Sequence, residues 1–144
     1  MTDSAEPEQF QELCRSIGIA VLMAQKVQFA LAHFYATHHI VHTKWSKTDV
    51  QESISRHLSG PMGYVVAAIE KEALLTDSLR GKIGSFKDQR NWLVHTFDQE
   101  ATPFLAQGQR FPEYVQQMED IYHSAVDVMN ELDAIGENLV PVRG

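Results

Sequence analysis

The chain has 144 residues, 44% of them hydrophobic and 22% charged, and its formal net charge is −7 at pH 7 with histidine neutral. These values fit a single globular domain over residues 1–144 that buries a core of its own. The acidic balance argues against broad, non-specific nucleic-acid binding, which needs a basic surface.

Taken in order, residues 1–7 are polar and read as a tail. The first twelve residues carry acidic charge and no apolar run, so no signal peptide is read there. Residues 17–34 are the most apolar stretch, but Gln25, Lys26, Gln28 and His33 interrupt it. It reads as a core helix with no membrane role, and a cytoplasmic location is the expectation. A first helix is predicted over residues 8–38. Phe10, Leu13, Cys14, Ile17, Ala20, Val21, Ala24, Val27, Leu31 and Phe34 follow the 3.6-residue period, and Ile19, Met23 and Ala30 widen that stripe. Cys14, the single cysteine, excludes an internal disulfide and is expected as a buried thiol on the apolar side.

His38, His39 and His42, with His33 before them, form a cluster where this helix ends. His38 and His42 are spaced to share a metal on a continuing helix. No neighbouring carboxylate or cysteine in sequence completes a ligand set, and a helix C-terminus favours imidazoles electrostatically. No metal and no other cofactor is therefore expected.

Thr48-Asp49-Val50-Gln51 has the form of a capping box and predicts a short helix to about residue 58, stopped by Ser59-Gly60-Pro61. Gly60-x-x-Gly63 lacks the strand, lysine and length of a phosphate loop and reads as a turn. A second short helix is predicted over residues 62–75. Thr76-Asp77-Ser78 then caps a longer helix over residues 76–98. Residues 99–110, with Thr102, Pro103 and Gly108, read as a loop. Phe111-Pro112-Glu113 opens the last helix. Val115, Met118, Ile121, Tyr122, Ala125, Val128, Met129, Leu132 and Ile135 form its stripe, Gly136 its C′ residue, and residues 137–144 a tail. The expected fold is all-α: an antiparallel bundle of four to five helices, with the first, 76–98 and last helices longest.

The helix over residues 76–98 holds the unusual polar residues. On a wheel at about 100° per residue, Leu79, Ile83, Phe86, Leu93 and Phe97 form one apolar stripe with Val94 at its edge, and Arg90 falls inside it. A guanidinium cannot lose its proton, so one buried there needs an anion or several acceptors. The opposite face carries Gly81, Gly84, Asp88, Asn91 and His95. Two glycines there cost helix stability but leave room for a second backbone to approach.

The run Arg90-Asn91-Trp92-Leu93-Val94-His95 resembles the signature of the HEPN superfamily, in which an Arg and a polar residue such as Asn precede a His after four to six intervening residues. Leu-Val-His-x-Phe, late in a penultimate long helix, adds to the likeness. The detailed match is confined to this segment, and the rest agrees only in helix order. The resemblance implies a small helical fold that dimerises around the signature helix. It also implies a metal-independent endoribonuclease of toxin or phage-defence type, with Arg90 and His95 catalytic and an RNA substrate. In toxin members an antitoxin or nucleotidyltransferase partner goes with it. Some family toxins carry a tyrosine two residues after the histidine as the site of modification. Phe97 stands there and lacks the hydroxyl.

The residue types suit that chemistry. Metal-free RNA cleavage needs a base for the 2′-OH proton, an acid for the leaving 5′-oxygen and a cation for the phosphorane-like charge. Imidazole suits both proton transfers, and guanidinium suits bidentate phosphate contact. Arg90 and His95 lie about 140° apart around one helix, so two signature helices meeting would build the more complete cleft. Asn91 can hold phosphate or orient an imidazole, and Asp88 can fix a histidine tautomer. Local positive charge is expected from Lys82 and Lys87. The alternative is a non-catalytic, homodimeric regulatory or scaffold module. There Arg90 pairs with a buried carboxylate, His95 and Asn91 bond across the seam, and Trp92 is the hot spot. A di-iron bundle fails, because Asp120-x-x-His123 stands alone where paired Glu-x-x-His motifs are needed. No nucleophile elbow is present for serine hydrolase chemistry.

Overall fold

The 3.6-residue period seen over residues 10–34 produces one long helix, α1 (Ala5–His42), which at about 1.5 Å per residue spans about 57 Å. It is longer at both ends than expected. The structure, a computed structural model, describes the backbone of residues 5–139 and the side chains of residues 8–137. The ends of the two predicted tails, residues 1–4 and 140–144, lie outside the described residues. After α1 come α2 (Lys47–Ser59), α3 (Met62–Lys71), α4 (Asp77–His95), α5 (Phe97–Ala106) and α6 (Phe111–Leu139). The chain is all-helical, with six helices among the described residues where four to five were expected; α1, α6 and α4 are the longest.

Three local expectations are corrected. The capping box of α2 is formed by Ser46 and Asp49, whose side chains bond each other's backbone N–H at 3.1 and 3.0 Å. Thr48 and Gln51 lie inside the helix. The second correction is the extra helix α5, in place of a loop. Phe97 and Ala101 are buried and Phe104 and Leu105 half-buried, a spacing that forms an apolar stripe in spite of Pro103. Proline removes one helical hydrogen bond, and the Thr102 hydroxyl adds bonds to the Asp98 carbonyl at 2.6 Å and its carboxylate at 3.0 Å. Third, α6 continues through Gly136 to Leu139, so Gly136 is no C′ residue and the last tail starts later than expected. A smaller difference is that α3 stops at Lys71, ahead of Ala73, which has a left-handed φ of 53°.

The core joins α1, α3, α4, α5 and α6 through residues such as Leu31, Ile69, Phe86, Phe97, Tyr114 and Ile121. Helix α2 contributes no buried hydrophobe and instead inserts Ser53 and His57. It is tied to α1 by Gln28, whose amide donates to the carbonyls of His57 and Gly60, both at 2.8 Å. Those are the unpaired carbonyls at the end of α2, so one side chain both caps the helix and docks it.

The three longest helices alternate in direction. Gln9 and Glu12 of α1 share a groove with Phe111 and Val115 of α6, Ile19 with Tyr122, and Phe29 and Thr37 with Leu132 and Gly136. Sequence numbers rise together, so α1 and α6, the most extensively packed pair, run parallel. Helix α4 opposes both: Lys82 near its start bonds Asp127 at 3.0 Å and also Glu131, while Trp92 near its end lies beside Gln117 and Ile121. The end of α4 is therefore placed at the same end of the bundle as α5 and the start of α6. Helix α1 also passes, over Glu8–His42, the length and composition criteria for a membrane-crossing helix. In this fold its Leu13, Ala20, Val27 and Leu31 are buried against protein.

Candidate active site on the fourth helix

Helix α4 begins where the Thr76 hydroxyl accepts from the Leu79 backbone N–H at 3.2 Å. Asp77 sits at the positive end of the dipole and bonds Arg80 at 3.3 Å. Leu79, Ile83, Phe86 and Leu93 are buried as the stripe predicts. All four candidate residues, Asp88, Arg90, Asn91 and His95, sit in the second half of this helix, and His95 is its last residue.

Arg90 starts inside the apolar stripe yet stays half-buried. Its Nη1 donates to Asn91 Oδ1 at 3.3 Å, so the guanidinium turns out of the core toward the exposed face. No salt bridge holds it among the described residues. The buried carboxylate partner weighed from sequence is therefore not found there. Asn91 and His95 are exposed and four apart, hence neighbours on the helix surface. An arginine, an amide and an imidazole thus share one open flank. The last turn of a helix carries partial negative charge and by itself repels an anion. Arg90 and the half-buried Lys87 supply the opposing charge. Lys82 does not: Asp127 and Glu131 occupy its ammonium. Asp88 is exposed, and no hydrogen bond joins it to His95 among the described residues.

The glycine face is open within the protomer: a Cβ added at Gly81 or Gly84 meets no atom within 4 Å. Trp92 is half-buried against the core and meets the Phe97 ring edge-on at 5.4 Å, which leaves it a partial face to offer a partner.

The histidine cluster lies at the opposite end of the bundle and does have a carboxylate neighbour, contrary to the sequence expectation. Glu72, 33 positions away, reaches His39 Nε2 at 3.0 Å. His39 Nδ1 meets the Thr43 hydroxyl at 2.6 Å, and the ring stacks on Trp45 at 4.3 Å. Tyr35 closes the group. Burial and then its hydrogen bond to Glu72 push its hydroxyl up to about 12. For Glu72, burial alone would raise the carboxyl, but hydrogen bonds from Tyr35 and His39 hold it below the usual range. Burial, followed by repulsion from His42 and His39, lowers His38. Burial and the charge of Arg56 lower His57. Among the described residues, no three of the His, Cys, Asp and Glu side chains converge as a metal site. Cys14 is exposed rather than buried, because the core side of α1 is taken by Leu13, Ala20 and Val27.

Sequence reasoning missed the partners that other helices bring to these residues. Glu72 had no local signal linking it to His39. Gln117 and Asp120 of α6 flank Trp92 across the α4–α6 groove, and Gln89, between Asp88 and Arg90, was passed over although an amide at the edge of an apolar stripe was a visible signal. In comparisons with known proteins, no family model, no curated protein and no solved structure matches this chain.

Proposed function

We propose that this protein is a metal-independent endoribonuclease of the HEPN type, acting as a homodimer in which two α4 helices meet and the Arg90, Asn91 and His95 groups of both protomers border one cleft. The observation that carries the reading is the Arg90 guanidinium bent onto Asn91 at 3.3 Å, unclaimed by any carboxylate among the described residues and on the flank that ends in His95. A cation left without an anion beside an amide and an imidazole suits a phosphodiester. In the reaction, one imidazole takes the 2′-OH proton as that oxygen attacks phosphorus. A protonated imidazole, from the partner protomer, gives its proton to the departing 5′-oxygen. Arg90 and Asn91 bind the non-bridging oxygens as charge accumulates on them. The products are a 2′,3′-cyclic phosphate and a 5′-hydroxyl.

The test is incubation of the purified full chain with transfer RNA and total RNA in EDTA. Cleavage that His95→Ala abolishes, with the helical circular dichroism spectrum and the oligomeric state unchanged, is the expected result. No cleavage by the native protein, together with no relief by His95→Ala of any growth defect on expression, would sink the proposal. The scaffold reading then takes over, and it has its own supporting observation: Ile19, Leu22 and Phe29 leave α1 with an exposed apolar edge.

A further inference from the structure

Helix α2 is fastened to the bundle by polar groups. The residues it buries are Ser53 and His57, 1% and 7% exposed. Its half-buried Val50 and Ile54 belong neither to the core cluster nor to the hydrophobes packed around it. What remains is the Gln28 amide on the carbonyls of His57 and Gly60, and the contacts of the His57 ring itself. That ring meets Tyr35 of α1 edge-on at 5.3 Å, and its Nδ1 lies 3.5 Å from the Ser53 hydroxyl, too long for a strong hydrogen bond. No carboxylate pairs with it among the described residues. On α1, the Tyr35 hydroxyl is committed to Glu72, and Glu72 to Tyr35 and His39. On α2 the neighbouring charge is Arg56, of the same sign as an imidazolium. Helix α3, also packed against α2, brings only Tyr64, Glu70 and Lys71, all exposed.

We propose that α2 is an acid-released latch, in which a proton on His57 detaches Lys47–Ser59 from α1 while α1, α4 and α6 stay folded. The latch is independent of the reaction assigned to Arg90 and His95. A neutral imidazole needs one donor and one acceptor as partners. An imidazolium needs two acceptors, and the docked ring has at most the Ser53 oxygen. A buried cation without an anion is costly, so the proton is taken up where the ring reaches water. The released ring has the ordinary value of 6.5, whereas burial and then Arg56 lower the docked one. Release is therefore favoured as pH falls below 6.5 and is not favoured above it. Both ends of α2 suit such a movement: the chain turns before it at Lys44, whose φ is 54°, and Gly60-Pro61 follows it. The capping bonds of Ser46 and Asp49 travel with the helix. What stays behind needs nothing from α2, since α1 and α4 both pack on α6 and no α2 residue belongs to the core cluster. Undocked, a helix of 13 residues is marginal in water, so its amides exchange.

The experiment is hydrogen–deuterium exchange of the full chain at pH 7 and pH 5, read by mass spectrometry and corrected for the intrinsic pH dependence of exchange. Amides of α2 should lose about ten- to thirtyfold of their protection at pH 5, about thirtyfold being the protonation limit of an imidazole with an ordinary pKa of about 6.5. They should also be at least tenfold less protected than those of α6 at both pH values, the mark of release without global unfolding. His57→Phe keeps a neutral ring against Tyr35 and should make α2 protection equal at the two pH values. His57→Gln gives the same reading if the phenylalanine variant does not fold. His38→Gln should leave the loss in place. Equal protection of α2 and α6 overturns the latch, as does an α2 unchanged at pH 5. So does a loss that survives removal of His57, or one that His38→Gln abolishes.

Discussion

Replacing Gly81 and Gly84 together by alanine separates the stability of the protomer from that of its dimer. Both glycines lie within α4, and a Cβ at either position touches nothing within 4 Å in the protomer. Glycine in a helix interior is about 1 kcal/mol less favourable than alanine. The double variant should therefore gain about 2 kcal/mol as a folded protomer, and for a domain of this size that corresponds to a rise of about 4–8 °C in Tm. A second α4 packed on the same face meets two new methyl groups from each side. The dimer should weaken at least tenfold, which is about 1.4 kcal/mol. Urea unfolding at submicromolar protein measures the first quantity, and sedimentation equilibrium at micromolar protein measures the second. A variant that gains stability yet dimerises as tightly as the native chain refutes the placement of the seam on this face. A loss of stability at dilution refutes the claim that the face is open in the protomer.

Arg90→Ala should abolish RNA cleavage as His95→Ala does but, unlike it, should also change stability, because its methylenes start within the apolar stripe; thermal unfolding of both variants checks this. Tyr114→Phe should stabilise by about 1 kcal/mol, since the Tyr114 hydroxyl is buried without a partner and removing it ends a desolvation cost; a loss on urea unfolding would mean that the hydroxyl is satisfied. Acid should destabilise in two stages. His57 and His38 are lowered from 6.5, so the unfolded chain binds their protons first and stability falls as pH drops below about 6.5. The lowered Glu72 carboxyl continues the loss below its ordinary 4.5, and Glu72→Gln should blunt that second stage in a pH series of melting curves. Tyr35, raised to about 12, adds stability that is present below pH 10 and lost between 10 and 12.

The helices and the grouping of the candidate site were legible in the sequence, because a 3.6-residue period, a Thr76 cap and a Gly60-Pro61 stop are written within a few residues of one another. Arg90, Asn91 and His95 needed no tertiary information to be placed together, since one helix carries all three. Helix α5 shows where local signals mislead: Pro103 and Gly108 suggested a loop, whereas the burial of Phe97, whose ring meets Tyr114 of α6, and of Ala101 outweighs the missing hydrogen bond. The parallel run of α1 and α6 followed from which stripes cover each other most completely, which no single segment encodes. The same holds for charge. Only packing decided that Lys82 would be consumed by Asp127 and Glu131, that Arg90 would be left with Asn91, and that Glu72 would reach His39. Periodicity is a property of neighbours in the chain. Pairing depends on the summed burial of surfaces far apart in it, and the groove between α4 and α6 exists only after that sum has been settled.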